Sequence, residues 1–381
     1  MRILLVALCL LPSTALAQTV SDDVLMTAQE RAILFVTNEV RNDPAPWPTP
    51  FDAGYDTWSC KAGEPENLPP LQWNADLAAA ARFHANDMYD NSHFEHASSD
   101  GTSFGRRLQR FYEGGGIGEN IAWGQSGPVD VLASWMTSPG HRCNILSPDW
   151  DELGTGYAGA GNGRNPYYVQ DFGARRGIER HKMAAGVSYV RSARNSRYGV
   201  NWYDPQNSFD EPTIVLVRAS GCTDLRLKAG LPHQGTYDYV GEPDGFPEDY
   251  WFLAVDAGGD VHAYPQDGAL TTPLPMHSDD AIDDRPMPEC AAALLAGTDL
   301  PGDDTPDDEV EPDIEEPGAG GDVEPPAQQE DLNPDRRPVR GDTGSSGVLG
   351  SGRRGRREEG CAQSTGSVPT LPALLQTLLR R

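Results

Sequence analysis

His96, Glu119 and His141 are the residues of this 381-residue chain with the clearest chemistry. Two imidazoles and a carboxylate supply nitrogen and oxygen donors, a set that suits zinc among divalent ions. A divalent metal such as zinc is the cofactor the trio would take, with His96 and His141 as its ligands. The same side chains could instead exchange protons, because histidine titrates near neutral pH. No familiar hydrolase pattern accompanies them: the chain has no Gly-x-Ser-x-Gly elbow and no His-Glu-x-x-His helix. No residue is therefore assigned a catalytic role. Plainer readings compete around the trio. His84 shares an apolar helical face with Leu77 and Met88, as a core or cleft-lining residue would. His93 reads as a surface residue. Glu119 could serve only to bond backbone amides and fix a loop at Gly118. Asn120 could hold a turn, Arg142 pair with an acid, and Trp73 and Trp135 fill the core.

Helices and strands must position these groups. Ile33, Val36 and Val40 recur at helical spacing and leave Arg31, Asn38 and Arg41 on other faces. Asn42-Asp43-Pro44 stops that helix. The stretch from Trp47 to Pro70 reads as a long loop tied down by Cys60. Asn74 caps a second helix with Asp76 in its first turn, placing Leu77, Ala81, His84 and Met88 on one face. A third helix runs from about Val129 to Met136, ended by Pro139-Gly140. Strand-like runs follow at Gly154 to Ala158 and Tyr167 to Phe172, joined by the turn 159–163. Helices on a small sheet make this first unit, residues 25–177, α+β in three layers. Residues 185–293 have another texture. Short strand candidates stand at 199–203, 213–218, 225–227, 235–239, 250–255 and 260–264. Turn-rich joints at Gly221-Cys-Thr-Asp224 and Asp256-Ala-Gly-Gly-Asp260 separate them. That spacing predicts a small all-β sandwich of immunoglobulin-like type, suited to spacing or binding.

The ordered series from Leu71 to Phe172 adds a resemblance. Leu71-Gln-Trp73, His93-Phe-Glu-His96, Ser99-Asp100-Gly101, Phe104 with Arg107, Gly118-Glu-Asn-Ile-Ala122, Ser138-Pro-Gly-His-Arg142, Asn144-Ile-Leu146, Gly154-Thr-Gly156 and Tyr168-Val-Gln-Asp-Phe172 resemble the bacterial branch of the CAP (SCP-like) superfamily. Asn38 and Arg41 fit the same pattern. The resemblance implies a sheet sandwiched between helices and a cleft holding His96, Glu119 and His141. The eukaryotic branch has a histidine near the strand matching Tyr167-Tyr168-Val169-Gln170, where this chain has Tyr167. A second acidic member of the cleft is open between Glu152 and Asp151. The resemblance further implies a binding module for a small hydrophobic, peptide or cell-wall-associated ligand. A metal-dependent hydrolase using the same cleft is the alternative, and a purely structural surface protein a third.

The rest of the chain sets the context. A net charge of −27 excludes nucleic acid as a natural partner. A mean hydropathy of −0.53, with no apolar run of spanning length, argues against an integral membrane protein. Arg2, the apolar run Ile3 to Leu11 and Ala15-Leu16-Ala17 read as a signal peptide over residues 1–17. Export permits disulfides. Cys60 and Cys143 share the first unit and Cys222 and Cys290 the second, so those pairs are expected, with Cys361 left over. Residues 296–357 read as a disordered linker, acidic and then basic. Residues 358–381, with Gly360-Cys361, an apolar segment and terminal arginines, resemble a MYXO-CTERM sorting tag in which Cys361 is the processing or attachment point. The expectation is a secreted or surface-anchored protein whose partner is a small ligand or cell-surface component. No feature demands an oligomer.

Overall fold

In the computed structural model, which describes residues 26–60, 63–159, 163–192, 195–207, 211–272 and 285–297, every residue of the first helix from Glu30 to Asn42 is buried. That burial organises the fold. The signal-peptide segment, most of the linker, the sorting tag and Cys361 lie outside the described residues.

Helix α1 (Ala28–Asn42) opens on a capping box between Thr27 and Glu30. Strand β1 (Gln72–Trp73) leads into α2 (Ala75–Asn91), whose cap Asn74 accepts from the Leu77 amide at 2.9 Å. Then come α3 (Phe104–Leu108), β2 (Ile117–Trp123), α4 (Pro128–Met136), α5 (Pro139–Ile145), β3 (Glu152–Ala158) and β4 (Tyr167–Gly173). The four strands form one sheet in the order β1-β3-β4-β2, in which only the β1–β3 pair is parallel. Helix α2 covers one face and α1, α4 and α5 the other. The expected three layers are therefore present. Gly154 and Gly156 explain how closely α2 lies on β3: a Cβ at either would meet the α2 backbone at 2.1 or 2.3 Å.

The remaining strands are β5 (Met183–Ser192), β6 (Asn195–Tyr203), β7 (Thr213–Arg218), β8 (Gly221–Asp224), β9 (Arg226–Leu231), β10 (Gln234–Gly241), β11 (Asp249–Val255), β12 (Val261–Tyr264) and β13 (Leu270–Thr271), followed by α6 (Glu289–Leu295). They form two antiparallel sheets, β5-β6-β10-β9 and β12-β11-β7-β8, with β13 added to β11. Tyr198, Val200, Trp202, Tyr237, Leu216, Tyr250 and Phe252 fill the space between those sheets. Alternation sends Val215, Val217, Trp251 and Leu253 to the outer face, against Ala291 of α6.

Helix α1 is buried all round because it serves two sheets. Thr37 accepts from Gln170 at 2.7 Å, and Asn38 bonds both backbone groups of Leu71, on the side of the first sheet. On the opposite side Phe35 meets Gly199, Glu39 pairs with Arg197, and Asn42 donates to Thr236 at 3.1 Å. The spacing 35, 39, 42 is one helical face.

Four local expectations change. Pro139-Gly140 does not simply stop a helix: Pro139 occupies the first turn of α5, where its missing amide hydrogen is harmless. Gly221–Asp224 is not a loose joint but edge strand β8, paired with β7 from Val215 to Arg218. Asn120 holds no turn: it sits inside strand β2. The Gly118-Glu-Asn run that looked loop-like is the middle of that strand.

The cysteines pair as expected. Cys60 bonds Cys143 and Cys222 bonds Cys290. The first bridge ties the loop before β1 to α5, and the second ties β8 to α6.

Candidate functional site

Strand β2 is the edge of the first sheet, and the candidate site is assembled along it. Alternation points Glu119, Ile121 and Trp123 toward the α2 face, and Asn120 and Ala122 toward α1, α4 and α5. The open edge is capped by side chains: Asn144 donates to the Glu119 carbonyl at 3.3 Å and Trp135 to the Ile121 carbonyl at 3.1 Å. Asn120 in turn donates to the His141 carbonyl at 3.2 Å and accepts from Asn144 at 2.9 Å. These bonds lock α5, and with it His141, beside Glu119.

His96 comes from the loop after α2. Ser92, in the left-handed region at φ 52°, ends the helix. The loop carbonyls are then held one by one. His84 Nε2 bonds the Glu95 carbonyl at 2.9 Å, His93 Nε2 bonds that of Ala97 at 3.1 Å, and Arg107 donates to that of His96 at 2.9 Å. His84 is thus a buried residue that pins the loop. His93 is partly buried rather than a free surface residue.

His96 Nδ1 donates to Glu119 Oε1 at 2.8 Å, and the buried Arg107 guanidinium grips Oε2. With Nδ1 carrying the proton, His96 Nε2 is left as an acceptor; the side chain is 31% exposed against 1% for Glu119. Burial alone would raise the Glu119 carboxyl, but the His96 hydrogen bond and the Arg107 charge outweigh it and hold the group below the ordinary range. His141 is pushed down to about 4, first by burial and then by the repulsion that a charge on the His96 ring would exert on it. His84 is also pushed down to about 4, chiefly by burial. Both rings are neutral at physiological pH. The three predicted residues fall in one neighbourhood: His96 and Glu119 in direct contact, and His141 close enough to interact electrostatically with His96.

The proposed second acids do not join them. Glu152 accepts from Asn74 at 2.9 Å and from Tyr112 at 2.7 Å, and Asp151 pairs with Arg180 at 2.6 Å. The acid beside Glu119 is Asp171, directly across the β2–β4 register and fully buried. Strand pairing alone reveals it; the nearest sequence signal is its place in Tyr168-Val-Gln-Asp-Phe172. Arg142 does pair with an acid, Glu64, at 2.7 Å.

The donor set does not fit zinc. Both Glu119 oxygens are engaged, which leaves two imidazoles where a zinc site wants three or four protein ligands. Among the described residues no three His, Cys, Asp or Glu side chains are grouped to hold a metal ion.

Beyond Glu119 the same strand face becomes aromatic. Trp123 lies about 13 Å further along β2 at ~3.3 Å per residue. Its ring stands 6.3 Å from that of Tyr167, and Phe94 stands 6.4 Å from Tyr167 on the other side. Phe94 and Trp123 are 44% and 45% exposed.

The model of the Cysteine-rich secretory protein family, CAP, matches residues 34–172. The uncharacterized protein YkwD of Bacillus subtilis is 39% identical over 98 residues, 26% of this chain and 38% of that protein. The uncharacterized membrane protein YlbC of the same organism is 32% identical over 106 residues, 28% of this chain and 29% of that protein. The chain thus spans under two fifths of either relative's length. A solved extracellular protein containing a SCP domain from Bacillus anthracis is 37% identical, with a TM-score of 0.26, over 29% of this chain and 35% of that one. Among the described residues no helix is long and apolar enough to cross a membrane.

Proposed function

We propose, from the premise that residues 34–172 are a CAP domain, that this protein is a secreted or surface-displayed binding module. Its cleft of His96, Glu119 and His141 takes a small hydrophobic, peptide or cell-wall-associated ligand. One observation carries the reading. Glu119 is held by His96 on one oxygen and Arg107 on the other, so the cleft presents a fixed imidazole acceptor and a second, neutral imidazole. Exposed Phe94 and Trp123 on the same strand face supply the apolar shelf. A ligand with one apolar or ring face and one polar group matches that surface. Two disulfides suit an oxidising compartment. The same reading divides the described chain into a cleft-bearing unit, residues 25–177, and a β unit, residues 185–293, that braces it through α1.

The test is calorimetry of the full chain with three probes: a long-chain fatty acid, a sterol and a disaccharide-peptide fragment of bacterial wall. We expect saturable binding of one probe, unchanged by a metal chelator and weakened at least tenfold by His96→Ala and by Trp123→Ala. Binding lost on chelation would favour the alternative, a metal-dependent hydrolase, over the binding module. Binding indifferent to both substitutions would move the site elsewhere.

A further inference from the structure

Asp171 is fully buried, and neither of its oxygens accepts a hydrogen bond. Few native carboxylates are left so. Its surroundings give the reason. Across the register from it on β2 stands Glu119, and on the other side, on β3, Gly154. From α3 comes Arg107, whose terminal nitrogens hold Glu119, the His96 carbonyl and Ser98; its Nε is buried without a partner, and its single charge is matched by Glu119. From α2 comes His84, whose Nε2 is committed to the Glu95 carbonyl. Its own strand contributes Val169 and Gly173 on the same face. Glu119 and Arg107 already balance in charge. An ionised Asp171 would be a second anion against Glu119 with no cation of its own, an arrangement interiors do not tolerate. One proton removes the difficulty. It cancels the charge and turns an acceptor-only group into a donor, and each Glu119 oxygen has a second lone-pair site to receive it.

We infer that Asp171 is a buried carboxylic acid that donates a hydrogen bond to Glu119, making it the third donor that fixes the carboxylate on which His96 is aimed. Glu119 is then held by His96, Arg107 and Asp171 at once. Asp171 is a positioning residue: it acts on the cleft through Glu119, whatever ligand the cleft takes. Burial first, and the Glu119 charge second, hold the Asp171 proton well above the usual carboxylate range.

Two readouts on the full chain test this. The first is the infrared difference spectrum of the native protein minus Asp171→Asn at pH 7. A protonated-carboxyl carbonyl band in the difference is the expected result; its absence overturns the proposal. The second is the tautomer of His96, read from imidazole nitrogen shifts. Asp171→Asn, whose amide still donates, should keep the Nδ1–H form, while Asp171→Val should lose its uniformity. A tautomer unchanged in both variants would refute the positioning role. If Asp171→Val does not fold, the infrared result still decides.

Discussion

Two buried arginines of this molecule each stand near two carboxyl groups, and they use them differently. Arg197 on β6 donates through Nε to Asp238 at 2.7 Å and through both terminal nitrogens to Glu39 at 3.0 and 3.1 Å. Every guanidinium nitrogen is matched, and α1 is stapled to the second sheet. Arg107 grips Glu119 but leaves Asp171 without a partner, and the imidazole of His96 emerges from the same cluster toward solvent. The first cluster is closed on itself and does structural duty. The second is held from behind and open in front, which is how a binding group is positioned. Charge content alone does not separate them; the number of unmatched polar atoms does.

The comparison can be broken by removing each cation. Arg197→Met leaves two unpaired anions, the buried Glu39 and the partly buried Asp238, and should cost about 3–5 kcal/mol in denaturant unfolding. Arg107→Met leaves one anion, because Asp171 is neutral, and should cost less. Equal costs would mean that Asp171 is charged. Removing the tether behind His141 comes next. Cys60→Ser with Cys143→Ser should lose about 2–5 kcal/mol and, by loosening α5, weaken any ligand that depends on His141. The last effect is a slope. The folded-state pKa of Asp171 is raised, so its stabilisation is full below the unfolded value of about 3.9 and is lost as pH rises toward the folded value. Asp171→Asn should therefore gain on the native protein by up to about 1.4 kcal/mol per pH unit over that window. His84 and His141 have the opposite sign. Their pKa values are lowered, so their contribution is full above about 6.5 and fades as pH falls toward 4. A flat difference between Asp171→Asn and the native protein would deny the buried acid.

Much of this was legible without coordinates. Helical spacing and caps marked α1, α2 and α4, turn residues delimited most strands of the second part, and shared units paired the cysteines. The ordered series of motifs singled out His96, Glu119 and His141, which the fold brings into one neighbourhood. What escaped was whatever depends on pairing. β2 hid because a Glu-Asn pair after Gly118 looks like a loop until its neighbours supply partners for Glu119 and Asn120. Glu39 and Asn42 of α1 carried no sign of a second sheet, since one helix shows only its own period, not what lies on each side. Asp171 became visible only when β2 and β4 were set in register.

The central claim is that His96 and His141 face one cleft, and histidine titration by NMR tests it most directly. His141 should titrate at about 4 in the native chain and higher in His96→Ala, where no second imidazole can carry a charge beside it but burial remains. A His141 value near 6.5 in the native chain, or one unmoved by His96→Ala, would contradict it.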